Sequence, residues 1–313
     1  MPTTRGSAPH HHLRTEEFDA FGPWVLPVRT PAEVPPLFRT HLPDPTGAAV
    51  VLKVPRAIER RDADATMNLY DHLLAVDAAG LTVLTRTPAA PGGFTTRVLA
   101  VDRLLALEES VDLLDARLTV HAVGVPPLTV PFNGSSRDTV GLLVHELRRR
   151  WLGGPGPVGT FAPPSVPAGL SELDADLALV SLYREVLAED PSCALLGAHA
   201  RRVVVPLAPG LGGAASRAVH AVWPMTLQGA IVCGDDRELH VLHRRHWWVR
   251  GGRPVNSIAR TVLPLERVRA VEVEDHPVYR GVRVVTLGLG GADLTLPVPA
   301  GSATEAALVA ARP

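Results

Sequence analysis

The chain has 313 residues, enough for two ordinary domains that each bury a core, with 46% hydrophobic residues, 20% charged residues and a net charge of −1. That balance holds no basic excess of the kind a nucleic-acid footprint requires. No apolar run approaches the roughly 20 residues that span a bilayer, the first residues lack a secretory core, and two cysteines are too few for a disulfide framework, so the reading is a cytoplasmic protein without a transmembrane segment.

In chain order, residues 1–44 read as an arm, disordered over its first part, with Phe18, Phe21 and Trp24 expected to pack onto the first β-rich unit. Thr30-Pro31-Ala32-Glu33 reads as a helix start with proline at the first helical position. Strands are expected at Ala48 to Pro55, His72 to Val76 and Leu81 to Arg86, with Asp77 to Gly80 as the turn between the last two. Ser136 is placed to cap a helix whose apolar stripe is Val140, Leu143, Val144 and Leu147, and Arg148, Arg149 and Arg150 stand at its negative end. Residues 153–190 read as a Pro/Gly-rich linker followed by an amphipathic helix from Ser171 to Glu189, which Pro191 stops. Strands resume at Ala194 to Pro206, Gly229 to Cys233 and from Leu239. Ser302 and Glu305 have capping-box spacing before a last helix.

The two halves echo each other. Leu81-Thr82-Val83-Leu84-Thr85-Arg86 matches Leu239-His240-Val241-Leu242-His243-Arg244, Val98 to Arg103 matches Val262 to Arg267, and Leu128 to Pro131 matches Leu294 to Pro297. The offset grows along the chain, as it does when loops lengthen between corresponding strands. The expected fold is mainly β with α: two units, 45–152 and 191–313, each a β-barrel or sandwich closed by a C-terminal helix.

The stretches from Arg237 to Arg244, from Thr261 to Val271 and from Asp293 to Pro297 resemble the bacterial form of the pleckstrin-homology (PH) superfold. The first copy keeps the order but has Ala100-Val101 where the second has Pro264-Leu265. The resemblance implies tandem PH-like units. That superfold serves lipid, peptide and protein binding in different families, so it selects no ligand.

The segment from His243 to Pro254 is the densest in chemistry. Arg244, Arg245, Arg250 and Arg253 flank Trp247 and Trp248, a composition suited to a partner surface or, through tryptophan and cations, an anionic membrane. The alternative is that the tryptophans fold back onto the unit. His240, His243 and His246 do not make a metal set, because strand neighbours alternate faces, and no cofactor is expected. Cys193 and Cys233 read as small core residues. Gly210 to Ala215, with Asp235 beyond it, approximates a dinucleotide-binding turn, but Pro206, Pro209 and Pro224 crowd it. Lys53 is the only lysine among 31 basic side chains, an arginine bias like that of GC-rich bacterial genomes, which weakens any single arginine as a mark of function. The leading expectation is a non-enzymatic binding or scaffold protein, cytoplasmic or peripheral to a membrane, that contacts a protein or an anionic lipid surface. The alternatives are a nucleotide-dependent enzyme and a purely structural oligomer subunit.

Overall fold

A computed structural model describes residues 15–42, 44–153, 176–207, 222–251 and 255–311. The fold is mainly β, in several antiparallel sheets with few helices. The chain divides into two units: Met1–Val98 with Asp138–Glu146, and Leu99–Arg137 with Leu147–Pro313.

In the first unit a short helix α1 (Glu16–Ala20) leads to strands β1 (Leu26–Pro27), β2 (Val50–Pro55), β3 (Tyr70–Val76), β4 (Gly80–Arg86) and β5 (Phe94–Ala100), which lie in that order in one sheet. The β3–β4 turn works as its sequence suggests. The Asp77 carboxylate accepts from the amides of Ala79 and Gly80, and Gly80 sits at φ +137°, which side chains avoid. Leu69, Tyr70, Leu73, Ala75, Leu84 and Val51 form the core, and Phe21, Val28, Val34 and Phe38 of the preceding segment join it. Trp24 does not: it stands exposed, against expectation. The helix expected at Thr30 is a single 3-10 turn, Pro31–Glu33, held by the Glu33 carboxylate accepting from the Arg29 and Thr30 amides.

The second unit takes strands from both halves of the chain. Those of the first half are β6 (Leu104–Asp112), β7 (Asp115–Ala122) and β8 (Val125–Asn133). After helices α2 (Arg137–Leu152) and α3 (Leu177–Glu189) come β9 (Ala194–His199), β10 (Arg202–Pro206), β11 (Met225–Leu227), β12 (Ala230–Gly234), β13 (Glu238–His243), β14 (Trp248–Arg250), β15 (Ile258–Pro264), β16 (Ala270–Asp275), β17 (Tyr279–Arg280), β18 (Val282–Gly288), β19 (Asp293–Pro299) and helix α4 (Ala303–Ala310). The main sheet has seven strands in the order β8-β7-β6-β15-β13-β12-β9. A three-stranded sheet runs β16-β18-β19 and a four-stranded one β14-β11-β10-β17. Every sheet has two free ends in its pairing order, so none closes into a barrel, one of the two forms expected. Within the seven-stranded sheet β12 and β13 are covered on both faces and buried along their whole length, whereas β7 and β8 alternate buried with exposed residues. Ile231, Cys233 and Leu242 meet Leu179, Leu182 and Val186 of α3. Val232, Leu239 and Val241 meet Val285, Leu287 and Leu296 of the three-stranded sheet and Leu308 of α4.

The order of pairing recurs. In the first half β2-β3-β4-β5 pair in sequence, then β6-β7-β8, then α2 follows; in the second half β9-β12-β13-β15, then β16-β18-β19, then α4. Each fourth strand runs into a one-turn 3-10 helix, Val101–Arg103 or Leu265–Arg267. The registers agree in the three-strand parts: Leu107 opposes Val120, which opposes Leu128, just as Val271 opposes Leu287, which opposes Leu294, and all six are buried. The second half adds β10, β11, β14 and β17, which build the extra four-stranded sheet. The strand expected from Ala194 to Pro206 is two strands, broken at Ala200 and Arg201.

Candidate functional site

The segment after β13 folds back onto its own unit. β14 pairs with β11, placing Trp248 opposite Leu227, Val249 opposite Thr226 and Arg250 opposite Met225. Trp247 stacks on His243 with ring centres 4.6 Å apart and planes within 8°. Trp248 lies against Tyr279 at 4.9 Å and His276 at 5.1 Å, beside the buried Val204, Leu227 and Val282. Both tryptophans are half-buried. Burial holds His243 at a pKa of about 4, against an ordinary 6.5.

The cations divide. Arg244 is buried: its Nε and Nη2 donate to the Asp176 carboxylate at 3.3 and 2.5 Å, and its Nη1 donates to the carbonyls of Val255 and Ser257. Asp176 is also the N-cap of α3, accepting from the Leu179 amide. Arg245 donates to Asp115 Oδ2 at 2.7 Å and to the carbonyls of Ser110 and Asp115. Arg250 is exposed, its guanidinium 5.9 Å from the ring centre of Trp223, itself 52% exposed. Arg253 lies outside the described residues, as does the turn from Gly210 to Ala215. Asp235 spends its carboxylate on the amides of Arg237 and Glu238 in the β12–β13 turn.

A second concentration of polar groups lies beneath β13 and β15. Arg148 Nη2 donates to Glu238 Oε2 at 2.7 Å, and Trp151 Nε1 donates to Glu238 Oε1 at 2.5 Å. Arg260 donates from Nε to His240 Nδ1 at 3.2 Å and from Nη1 to Glu189 Oε2 at 2.6 Å. An acceptor at Nδ1 fixes a neutral His240 with its proton on Nε2, which lies 3.8 Å from Glu238 Oε2. Burial alone would raise the Glu238 pKa, but His240 and the Arg148 guanidinium outweigh it and hold it at about 2. Arg148, expected as a cation at the negative end of α2, is thus committed to a buried pair. Cys193 and Cys233 are both buried free thiols.

The first unit holds a residue that pattern reading passed over. Lys53, on β2, is only 6% exposed. Its Nζ donates to the Glu33 carbonyl at 3.0 Å and lies 4.9 Å from the ring centre of Tyr70, whose hydroxyl has no hydrogen-bond partner among the described residues. Burial lowers the Lys53 pKa, while burial raises that of Tyr70 to about 12. The cation pins the Pro31–Glu33 turn to the sheet. A lone lysine in an arginine-rich chain was the available signal.

No family model, curated protein or solved structure matches this chain. Among the described residues no group of three histidine, cysteine, aspartate or glutamate side chains could hold a metal ion, and no helix is long and apolar enough to cross a membrane.

Proposed function

We propose that the chain is a non-enzymatic, cytoplasmic scaffold built from two PH-like units, 45–152 and 191–313, which binds protein through sheet edges. The reading is carried by one observation: β6 of the first half and β15 of the second are hydrogen-bonded edge to edge, from Ile258 opposite Val111 to Val262 opposite Leu107. The halves thus use strand edges as their joint. The recurring order of four strands, three strands and a helix supports the tandem PH-like assignment. Two buried free thiols suit a reducing compartment. A protein partner is favoured over an anionic membrane because Arg244 and Arg245 are paired with Asp176 and Asp115, which leaves little unspent charge beside the tryptophans.

The test uses the full chain in cells, carrying a photo-reactive residue in place of Arg97 on β5, Glu272 on β16 or, as a control, Arg61. The expected result is discrete adducts, with sequenced cross-linked peptides, from the two edge positions and none from Arg61. If the edge positions give none, and purified protein sediments with phosphatidylglycerol vesicles in a manner lost on Trp223→Ala/Arg250→Ala, the membrane reading replaces this one.

A further inference from the structure

Exposed strand edges offer unpaired amides and carbonyls to any other strand, and folded proteins commonly block them. Here most edges are blocked. The outer strands β8 and β19 carry Pro126, Pro127 and Pro131, and Pro297 and Pro299, none of which has an N–H to offer. β1 has two residues and ends in proline, and β9 lies against α4. In the small sheet the end strands β14 and β17 have three and two residues. Among the described residues two longer edges remain without proline: β5, the last strand of the five-stranded sheet, and β16, the first of the three-stranded one.

These two edges are related by the repeat. β5 is the first half's counterpart of β15, and β16 is the second half's counterpart of β6. Within the chain β15 and β6 are already joined. β5 and β16 are therefore the same complementary pair, left over at the two ends of the repeat. The difference shows in burial: β15 is buried over six of its seven residues, whereas β5 exposes Thr95, Thr96, Arg97 and Val98 in a row, with Val98 58% exposed.

The register can be transferred. The echo aligns Val98 with Val262, and the buried positions align Leu107 with Val271. In the internal joint Val262 opposes Leu107 and Thr261 opposes Glu108. The transferred joint sets Val98 opposite Val271 and Arg97 opposite Glu272, with Glu274 diagonal to Arg97. A cation meets two carboxylates, and Arg97, Glu272 and Glu274 are all exposed. Opposite charges at facing positions favour that register over its neighbours.

We infer that the chain self-associates head to tail, β5 of one molecule pairing antiparallel with β16 of a second, and so repeats between molecules the joint that β6 and β15 make within one. The inference deepens the scaffold reading and rests on it. Because the two edges are different surfaces, the contact is heterologous and propagates as a closed ring or an open chain.

Sedimentation velocity on the purified full chain tests it. Wild type is expected to grow in mass with concentration. Arg97→Glu and Glu272→Arg should each weaken association by about fivefold or more, and the double variant, which restores the opposite pair at every joint, should return to within about twofold of wild type. A wild type that stays monomeric at every concentration, or single reversals that assemble as well as wild type, overturns the inference. A second measurement does not depend on the charge variants folding. An oxidised mixture of Arg97→Cys and Glu272→Cys proteins should give a disulfide-linked dimer that neither gives alone, and its absence also overturns the inference. Adducts at position 97 or 272 with another protein, from a chain that remains monomeric, overturn self-pairing while leaving the scaffold reading standing. No adducts and no assembly remove both.

Discussion

At the scale of the residue, the same chemical group does different work depending on partners far away in sequence. Arg244 and Arg250 are six positions apart, yet one is buried against Asp176 and the other is exposed beside Trp223. Removing Arg244 strands the Asp176 carboxylate in a site with little water and takes a partner from the cap of α3. Arg244→Ala should therefore cost about 3–5 kcal/mol, whereas Arg250→Ala should stay within about 0.5 kcal/mol. Urea denaturation of both variants checks the contrast, and equal losses would refute it. The composition of the segment was legible in the sequence; the direction of its side chains was not. Arg244 finds its carboxylate 68 positions upstream and Arg245 finds Asp115 130 positions upstream, and no local pattern encodes such partners. The tryptophans ended between the two readings open at the start, half-buried on the sheet.

At the scale of the element, most strands could be read because alternation and turn chemistry are local. Leu81 to Arg86, the turn from Asp77 to Gly80 and the last helix stand where their residues place them. The small sheet was illegible for a physical reason: β11, β14 and β17 have three, three and two residues, too short to show a period. The joint between β6 and β15 was also hidden, since strand pairing between distant segments depends on edges and not on periodicity. One glycine shows how tightly α4 seats on β9. A Cβ at Gly197 would lie 2.3 Å from the Ala303 carbonyl oxygen, and backbone cannot move aside as a side-chain tip can. Gly197→Ala should cost about 1–3 kcal/mol and speed amide exchange in α4 specifically. Unchanged protection in Ala303–Ala310 would show that the close approach is not limiting.

At the scale of the whole molecule, His199, His243 and Glu238 couple stability to pH in one direction, whereas Glu108 and Glu109, whose pKa burial raises, oppose them above pH 4.5. Burial holds His199, between Thr304 and the Gln228 carbonyl, and His243, between Trp247 and Thr261, at pKa values of about 4 against 6.5 when unfolded. As pH falls through 6.5 the unfolded chain takes up protons that the folded chain refuses, so stability is lost between pH 6.5 and 4. Each shift corresponds to about 3 kcal/mol at most. Glu238, held at about 2 against 4.5, adds a further loss between those two values, because its pairing with Arg148 is worth most when it is ionised. The denaturation midpoint should fall steadily from pH 7 to pH 5, and His199→Gln/His243→Gln should flatten that slope. A midpoint that does not change across this interval would exclude it. Lys53 extends the same coupling to covalent chemistry. With its single side-chain amine turned inward over Tyr70, the native chain offers almost no lysine handle to acylating reagents or to enzymes that tag proteins for turnover. Marking at that position has to wait for the first unit to open, so it counts opened molecules and takes no measure of the native surface.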